Sequence, residues 1–226
     1  MSGRGADAGG SRAAPGASVR FFDAQFRAQL DSGELRLNPF EQATLPWLSG
    51  EVLDYGCGLG NLALAAAERG CRVRALDAST VAIAHLRALA AARGLPITAE
   101  QGDLRDHVPA RQAFDTVVSI GLLMFFACSD ARRQLARLQA AVRPGGVAAI
   151  NVLIEGTTYL DMFDPAQHCL LGHDELRRAF DGWALLHAAD QEFDAPRGLR
   201  KCFSTVIARR PGTAARRACG APSQAL

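Results

Sequence analysis

Three aspartates and a glycine-rich pentapeptide carry the most legible chemistry in this chain. Gly56-Cys57-Gly58-Leu59-Gly60 follows the apolar run "EVLDY" and precedes a helical stretch, so it reads as the turn from a strand into a helix. Glycines there permit a tight turn and a close approach of a ligand to the backbone. Asp77 closes the next strand about twenty residues on, where a carboxylate can accept both hydroxyl protons of a ribose. Asp103, in "QGDL", closes the third strand; it can accept from an adenine amino group, with the Leu104 amide beside it. Asp54, just before the first glycine, can meet a ligand cation. A dinucleotide fingerprint would want G-x-G-x-x-G, and Asn61 stands where the third glycine should be. That spacing argues against a pyrophosphate ligand.

These residues need a frame that brings successive strand ends together. From Glu51 the chain alternates strand and helix, the pattern of an α/β sheet with helices on both faces. "CRVRALD" is the second strand. "STVAIAHLRALAAARG" is a helix with Ser79 as N-cap and Gly94 as stop. "LPITAEQGD" holds the third strand and "FDTVVSI" the fourth. "DARRQLARLQAAVRPGG" is an amphipathic helix ended by Pro144 and Gly145, and "VAAINVLI" is the fifth strand. A short helix capped by Asp174 follows. "WALLHAAD" and "RKCFSTVIARR" are then two strands with too short a connection for a crossover helix, so they should pair antiparallel. Ahead of the sheet, Phe22, Phe26 and Leu30 have helical spacing and a second short helix starts at Pro39. The domain reading is a mobile tail over 1–18, one domain over 19–209 with a helical cap over 19–49, and a flexible tail over 210–226.

With 226 residues and 49% hydrophobic content, the chain supports one sizeable core. A net charge of +2 gives no strong field for nucleic acid or anionic lipid, and the basic residues are arginine except for Lys201. The six cysteines form no CxxC pair and no short disulfide framework, which fits a reducing compartment and a cytoplasmic protein. No apolar run is long enough to span a bilayer, so no membrane partner is expected. His168, Cys169 and His173 match no common zinc spacing, so no metal is expected. Cys57 sits at a helix N-terminus but has no histidine near it in sequence, so it reads as a packing residue.

The segments "VLDYGCGLGNLAL", "ALDAS", "GDL", "FDTVVSIGLLMF" and "LQAAVRPGG" resemble, in order and spacing, a class I S-adenosylmethionine-dependent methyltransferase over roughly residues 40–209. The resemblance implies a Rossmann-like seven-stranded sheet of order 3-2-1-4-5-7-6 with strand seven antiparallel. It implies S-adenosylmethionine as cofactor, with the methionine part held by Asp54 and the loop Gly56, Cys57, Gly58 and Gly60, Asn61 opening the helix. Asp77 would hold the ribose, Ala78 would pack on adenine, Asp103 and Leu104 would read its edge, and Ser119 would line the site.

The acceptor is expected to be a small molecule. Nucleic-acid amino methyltransferases place an Asn/Asp/Ser-Pro-Pro-aromatic run after strand four, and this chain has "SIGLLMFF", so no nucleic acid is expected. "LLMFF", "DELRRAFDGW" and "FSTVIARR" look like the tellurite-resistance branch, which methylates soft oxyanions and thiols. That branch carries a histidine then an arginine before the last strand; here Asp194 stands near the histidine position and Arg197 is the one arginine that could take over part of the role. Tyr159, Phe163 and His168, after strand five, are the other acceptor-site candidates. A second reading, motivated by the missing histidine, is a donor-binding protein without turnover.

Overall fold

The computed structural model describes residues 16–33, 35–164 and 167–212. Two helices, α1 (Ala17–Ser32) and α2 (Pro39–Thr44), precede the sheet. The sheet then alternates as β1 (Glu51–Tyr55), α3 (Asn61–Glu68), β2 (Arg72–Asp77), α4 (Thr80–Arg93), β3 (Ile97–Gln101), β4 (Phe114–Ile120), α5 (Cys128–Ala141) and β5 (Val142–Leu153). It ends with α6 (Glu175–Arg178), β6 (Ala184–Ala195) and β7 (Leu199–Arg209). The strand order is β3-β2-β1-β4-β5-β7-β6, with β7 antiparallel to both neighbours. That is the expected sheet.

Strand order reverses between β1 and β4, so the carboxyl end of β1 opens onto a crevice. Alternation along β1 divides the core: Leu53 and Tyr55 join the cluster with Val117, Leu138 and Ile150, while Val52 joins Ala63, Val73 and Ile83 on the opposite face. Both faces are covered by helices, which is why these strands carry apolar residues on both sides. The α4 limits fall where expected, with Ser79 Oγ accepting from the Ala82 amide at 3.1 Å and Gly94 left-handed at φ 63°.

Several boundaries differ from the sequence reading. α5 ends at Ala141, short of Pro144, because the residue before a proline is pushed to extended geometry and β5 already pairs Val142 with Phe114. Asp174 does not cap α6: it is left-handed at φ 62°, and Glu175 instead accepts from the Gly172 amide at 3.1 Å and pairs with Arg132. The segment between the last two strands is itself strand, closed by a three-residue turn at Pro196–Gly198. Gly16 caps α1 and residues 17 and 18 begin it, while 1–15 of the expected amino-terminal tail lie outside the described residues, as does 213–226. Arg210 is held by the strand, its amide donating to the Gly146 carbonyl at 2.8 Å.

The cysteine expectation needs correcting. Cys128, at the start of α5, and Cys169, in the segment after β5, form a disulfide. Their separation of 41 residues hid the pairing, because only the fold brings them together. Among the described residues no helix is long and apolar enough to cross a membrane.

Candidate active site

The crevice beyond β1 opens into a cavity of about 1140 Å3. That exceeds the upper part of the usual range for a single small ligand, roughly 1,000 Å3. Asp54, Gly56, Cys57, Gly58, Gly60, Asn61, Asp77, Ala78, Asp103 and Leu104 all line it. Ser119 does not. It is buried within β4 opposite Ile150, and the lining at this strand end comes from Ile120, Gly121 and Leu122. Side chains alternate along a strand, so one residue's shift moves the side chain to the other face.

The glycines of the loop serve a purpose the sequence did not indicate. A Cβ on Gly56 would stand 2.9 Å from Leu122, and one on Gly60 would stand 2.5 Å from Leu86 Cδ1. Protein side chains therefore fill the space at both positions. Four loop amides are likewise already paired: Gly56 and Cys57 donate to the Leu76 carbonyl at 2.8 and 3.0 Å, Gly60 to the Cys57 carbonyl at 2.9 Å, and Gly58 to Asp77 Oδ2 at 2.8 Å. Such a loop is no phosphate cradle, in keeping with the absence of the dinucleotide fingerprint.

What the site offers instead is negative charge. Asp54 is buried with its Oδ2 unpartnered, and burial, then Glu41, then Asp77 push its pKa up to about 8. Glu41, on α2, is also raised by burial, although it accepts from the Asn38 amide at 2.8 Å in a capping box. Asp77 is raised by burial against the opposing pull of the Ser79 and Gly58 amides. A cationic ligand would relieve all three, since an opposite charge restores the ionised form. The charge of this wall suits a cationic ligand such as the ammonium and sulfonium of S-adenosylmethionine. Asp103 lies at the rim in an ion pair with Arg105, with Nε to Oδ1 at 3.0 Å, so its contact with an adenine would compete with that pair.

α1 forms the roof. Phe22, Asp23 and Phe26 line the cavity; Phe26 lies against Gly58, Phe22 meets Phe125 edge-on at 5.0 Å, and Asp23 accepts from Ser79 Oγ. α1 thus lies directly over the glycine loop. Cys57 stays a thiol, its pKa pushed well up by burial and by Asp54 and Asp77. No group of three or more potential metal ligands occurs among the described residues.

The acceptor candidates divide. Tyr159 lines the cavity. Phe163 is packed beneath it among Met124, Leu153 and Met162, with His168 stacked on its ring at 5.0 Å, and neither lines the space. Arg197 sits in the β6–β7 turn, exposed and paired with Asp161, and Asp194 is the cross-strand partner of Arg200 in the same hairpin. Turning that segment into a hairpin carries Arg197 away from the cavity. The sequence reading missed Glu41, Asp23, Phe203 and Lys201. Only the Asn-Pro-x-Glu capping pattern and the uniqueness of the lysine were signals for any of them.

Residues 52–146 match the family model for a methyltransferase domain. The chain is 29% identical over 175 residues to Hemagglutinin 1 of Eikenella corrodens, covering 72% of this chain and 55% of that protein. It is 35% identical over 126 residues to the cypemycin N-terminal methyltransferase of a Streptomyces species, covering 54% and 46%. It thus spans about half the length of these curated relatives. The fold is shared with TehB from Haemophilus influenzae, at a TM-score of 0.66 and 19% identity over 77% of this chain and 62% of that one. The sheet order and the matched domain agree: over residues 52–146 the chain carries a class I S-adenosylmethionine-dependent methyltransferase domain.

Proposed function

We propose that the protein transfers a methyl group from S-adenosylmethionine to a small-molecule acceptor, and that the acceptor attacks as a soft or already ionised nucleophile. One observation carries the reading: a single cavity is lined both by the carboxylates Asp54, Glu41 and Asp77 and by the apolar side chains of Phe40, Phe125, Tyr159, Met162 and Phe203. Its volume suits a donor and a small acceptor together.

When bound, the donor supplies an electrophilic methyl whose leaving group departs neutral. Asp54 and Glu41 would hold its ammonium, Asp77 its ribose, and Ala78 with Leu104 its base. The aromatic chamber would exclude water and align the acceptor, the main source of rate in a displacement of this type. No histidine lines the cavity among the described residues, so no imidazole base stands at the acceptor. A thiolate, a chalcogen oxyanion or a phenolate needs none. The likeness to TehB is one of fold and agrees with this acceptor class without selecting within it.

Calorimetry with S-adenosylmethionine, S-adenosylhomocysteine and NAD tests the cofactor. S-adenosylhomocysteine formation is then followed with thiols, selenite, tellurite and small phenols. Binding of both sulfur nucleosides and turnover with at least one acceptor is expected. Tight donor binding with no turnover on any of them would favour a sensor or subunit.

A further inference from the structure

Beside Tyr159 the cavity lining carries a positive charge with no carboxylate partner among the described residues. Lys201, on β7, lines the cavity two residues from Phe203 on the same face of the strand, and its Nζ lies 4.6 Å from the centroid of the Tyr159 ring. The ring is held in place from below: the Thr158 and Tyr159 amides both donate to the Arg200 carbonyl, at 2.9 and 3.1 Å, which ties the segment after β5 to the strand that carries the lysine. Phe203 packs on Phe40 at 4.8 Å, and both rings line the same cavity as Lys201. No carboxylate pairs with Lys201 among the described residues, and burial draws its pKa down with no charge opposing it. The neighbouring arginines, Arg197 and Arg200, have Asp161 and Glu192 as partners. A partly desolvated ammonium set over a ring face, with no carboxylate beside it among the described residues, lacks a counter-ion.

We propose that Lys201 docks an anionic group of the acceptor, so that the molecule methylated is a small acid: a carboxylate or other oxyanion on an apolar, ring-sized body. This rests on the methyl-transfer reading above and narrows its substrate class. The charge layout supports it. Asp54, Glu41 and Asp77 line the same cavity as Lys201, so a cationic donor at the carboxylates and an anionic acceptor at the ammonium would each meet the opposite charge, and each other. Tyr159 and Phe203 would grip the body of the acid while the ammonium, with three rotatable donors on a flexible stem, follows its oxygens. Lys201 is a positioning and specificity residue here; no proton transfer is assigned to it.

Because Lys201 is the only lysine in the chain, feeding [13C]lysine gives a full-length protein with a single Cε resonance to watch. The sample is first saturated with S-adenosylhomocysteine, monitored by calorimetry, and then titrated with benzoate, hexanoate and benzamide. A saturable shift of the Cε signal with at least one of the two acids, and none with the isosteric amide, is expected. Lys201→Met should weaken that acid's calorimetric affinity about tenfold, as loss of a charge-assisted hydrogen bond does, while S-adenosylhomocysteine affinity stays within about twofold. Equal responses to benzoate and benzamide, no response to either acid, or unchanged acid affinity in Lys201→Met would each overturn the proposal. Failure to bind S-adenosylhomocysteine at all would instead sink the methyl-transfer reading, and the same acid titrations without the nucleoside would still judge Lys201.

Discussion

At the scale of single residues, Asp54 concentrates the tension in the site. Its carboxyl is buried, half unpartnered and raised to about 8, against an ordinary value of 3.8. Between those two values the folded protein holds a proton that the unfolded chain has released. Ligand-free stability contributed by this group is therefore full below about pH 4, falls as pH rises, and is lost once pH passes about 8. Asp54→Asn removes that dependence. In paired thermal melts the ligand-free variant should be the more stable protein at pH 8.5, with the gap closing as pH falls toward 5. Donor binding should move the other way in the wild type, strengthening from pH 6 to pH 8 as the carboxylate ionises to meet an ammonium. Asp77→Ala is expected to weaken S-adenosylhomocysteine binding by about two orders of magnitude, the loss of two hydrogen bonds to a charged acceptor. Unchanged affinity by calorimetry would remove Asp77 from the donor site.

At the scale of elements, the strand–loop–helix unit is tuned by packing as much as by ligand. Gly60 at φ 78° faces Leu86 on α4, whereas Gly94 at φ 63° ends α4 with open space around it. Both replacements by alanine incur a left-handed backbone penalty of about 1–2 kcal/mol. Only Gly60→Ala adds the overpacking of a filled interior, about 1–3 kcal/mol more. Urea denaturation should therefore rank Gly60→Ala well below Gly94→Ala, and equal losses would contradict the packing role assigned to this loop. Removing the cap at Ser79 by Ser79→Ala should cost about 1 kcal/mol through the lost Ala82 amide bond. It also frees Asp23, which accepts from the same hydroxyl, so part of the effect would appear as a looser α1 roof.

For the whole molecule, the disulfide joins the start of α5 to the segment that brings Tyr159 to the cavity. A closed loop of this length restricts the unfolded chain by about 3–4 kcal/mol in the chain-entropy account. Denaturation in the presence and absence of dithiothreitol should show a loss of that order, and Cys128→Ala with Cys169→Ala should reproduce it. Identical midpoints would mean that the two thiols stay reduced in solution.

From the chain's local pattern alone came the order of strands and helices, the antiparallel final pair and the aspartates that line the cavity. Each depends on local pattern: apolar alternation, caps such as Ser79 and Gly94, and aspartates fixed to strand ends. Tertiary structure alone decided that Ser119 faces away from the cavity, that Arg197 leaves in a hairpin turn, that Cys128 meets Cys169, and that Glu41 and Lys201 enter. Those outcomes depend on which face a side chain takes and on which distant segment lies beside it. A linear pattern carries no record of a neighbour dozens of residues away until the sheet has closed around it.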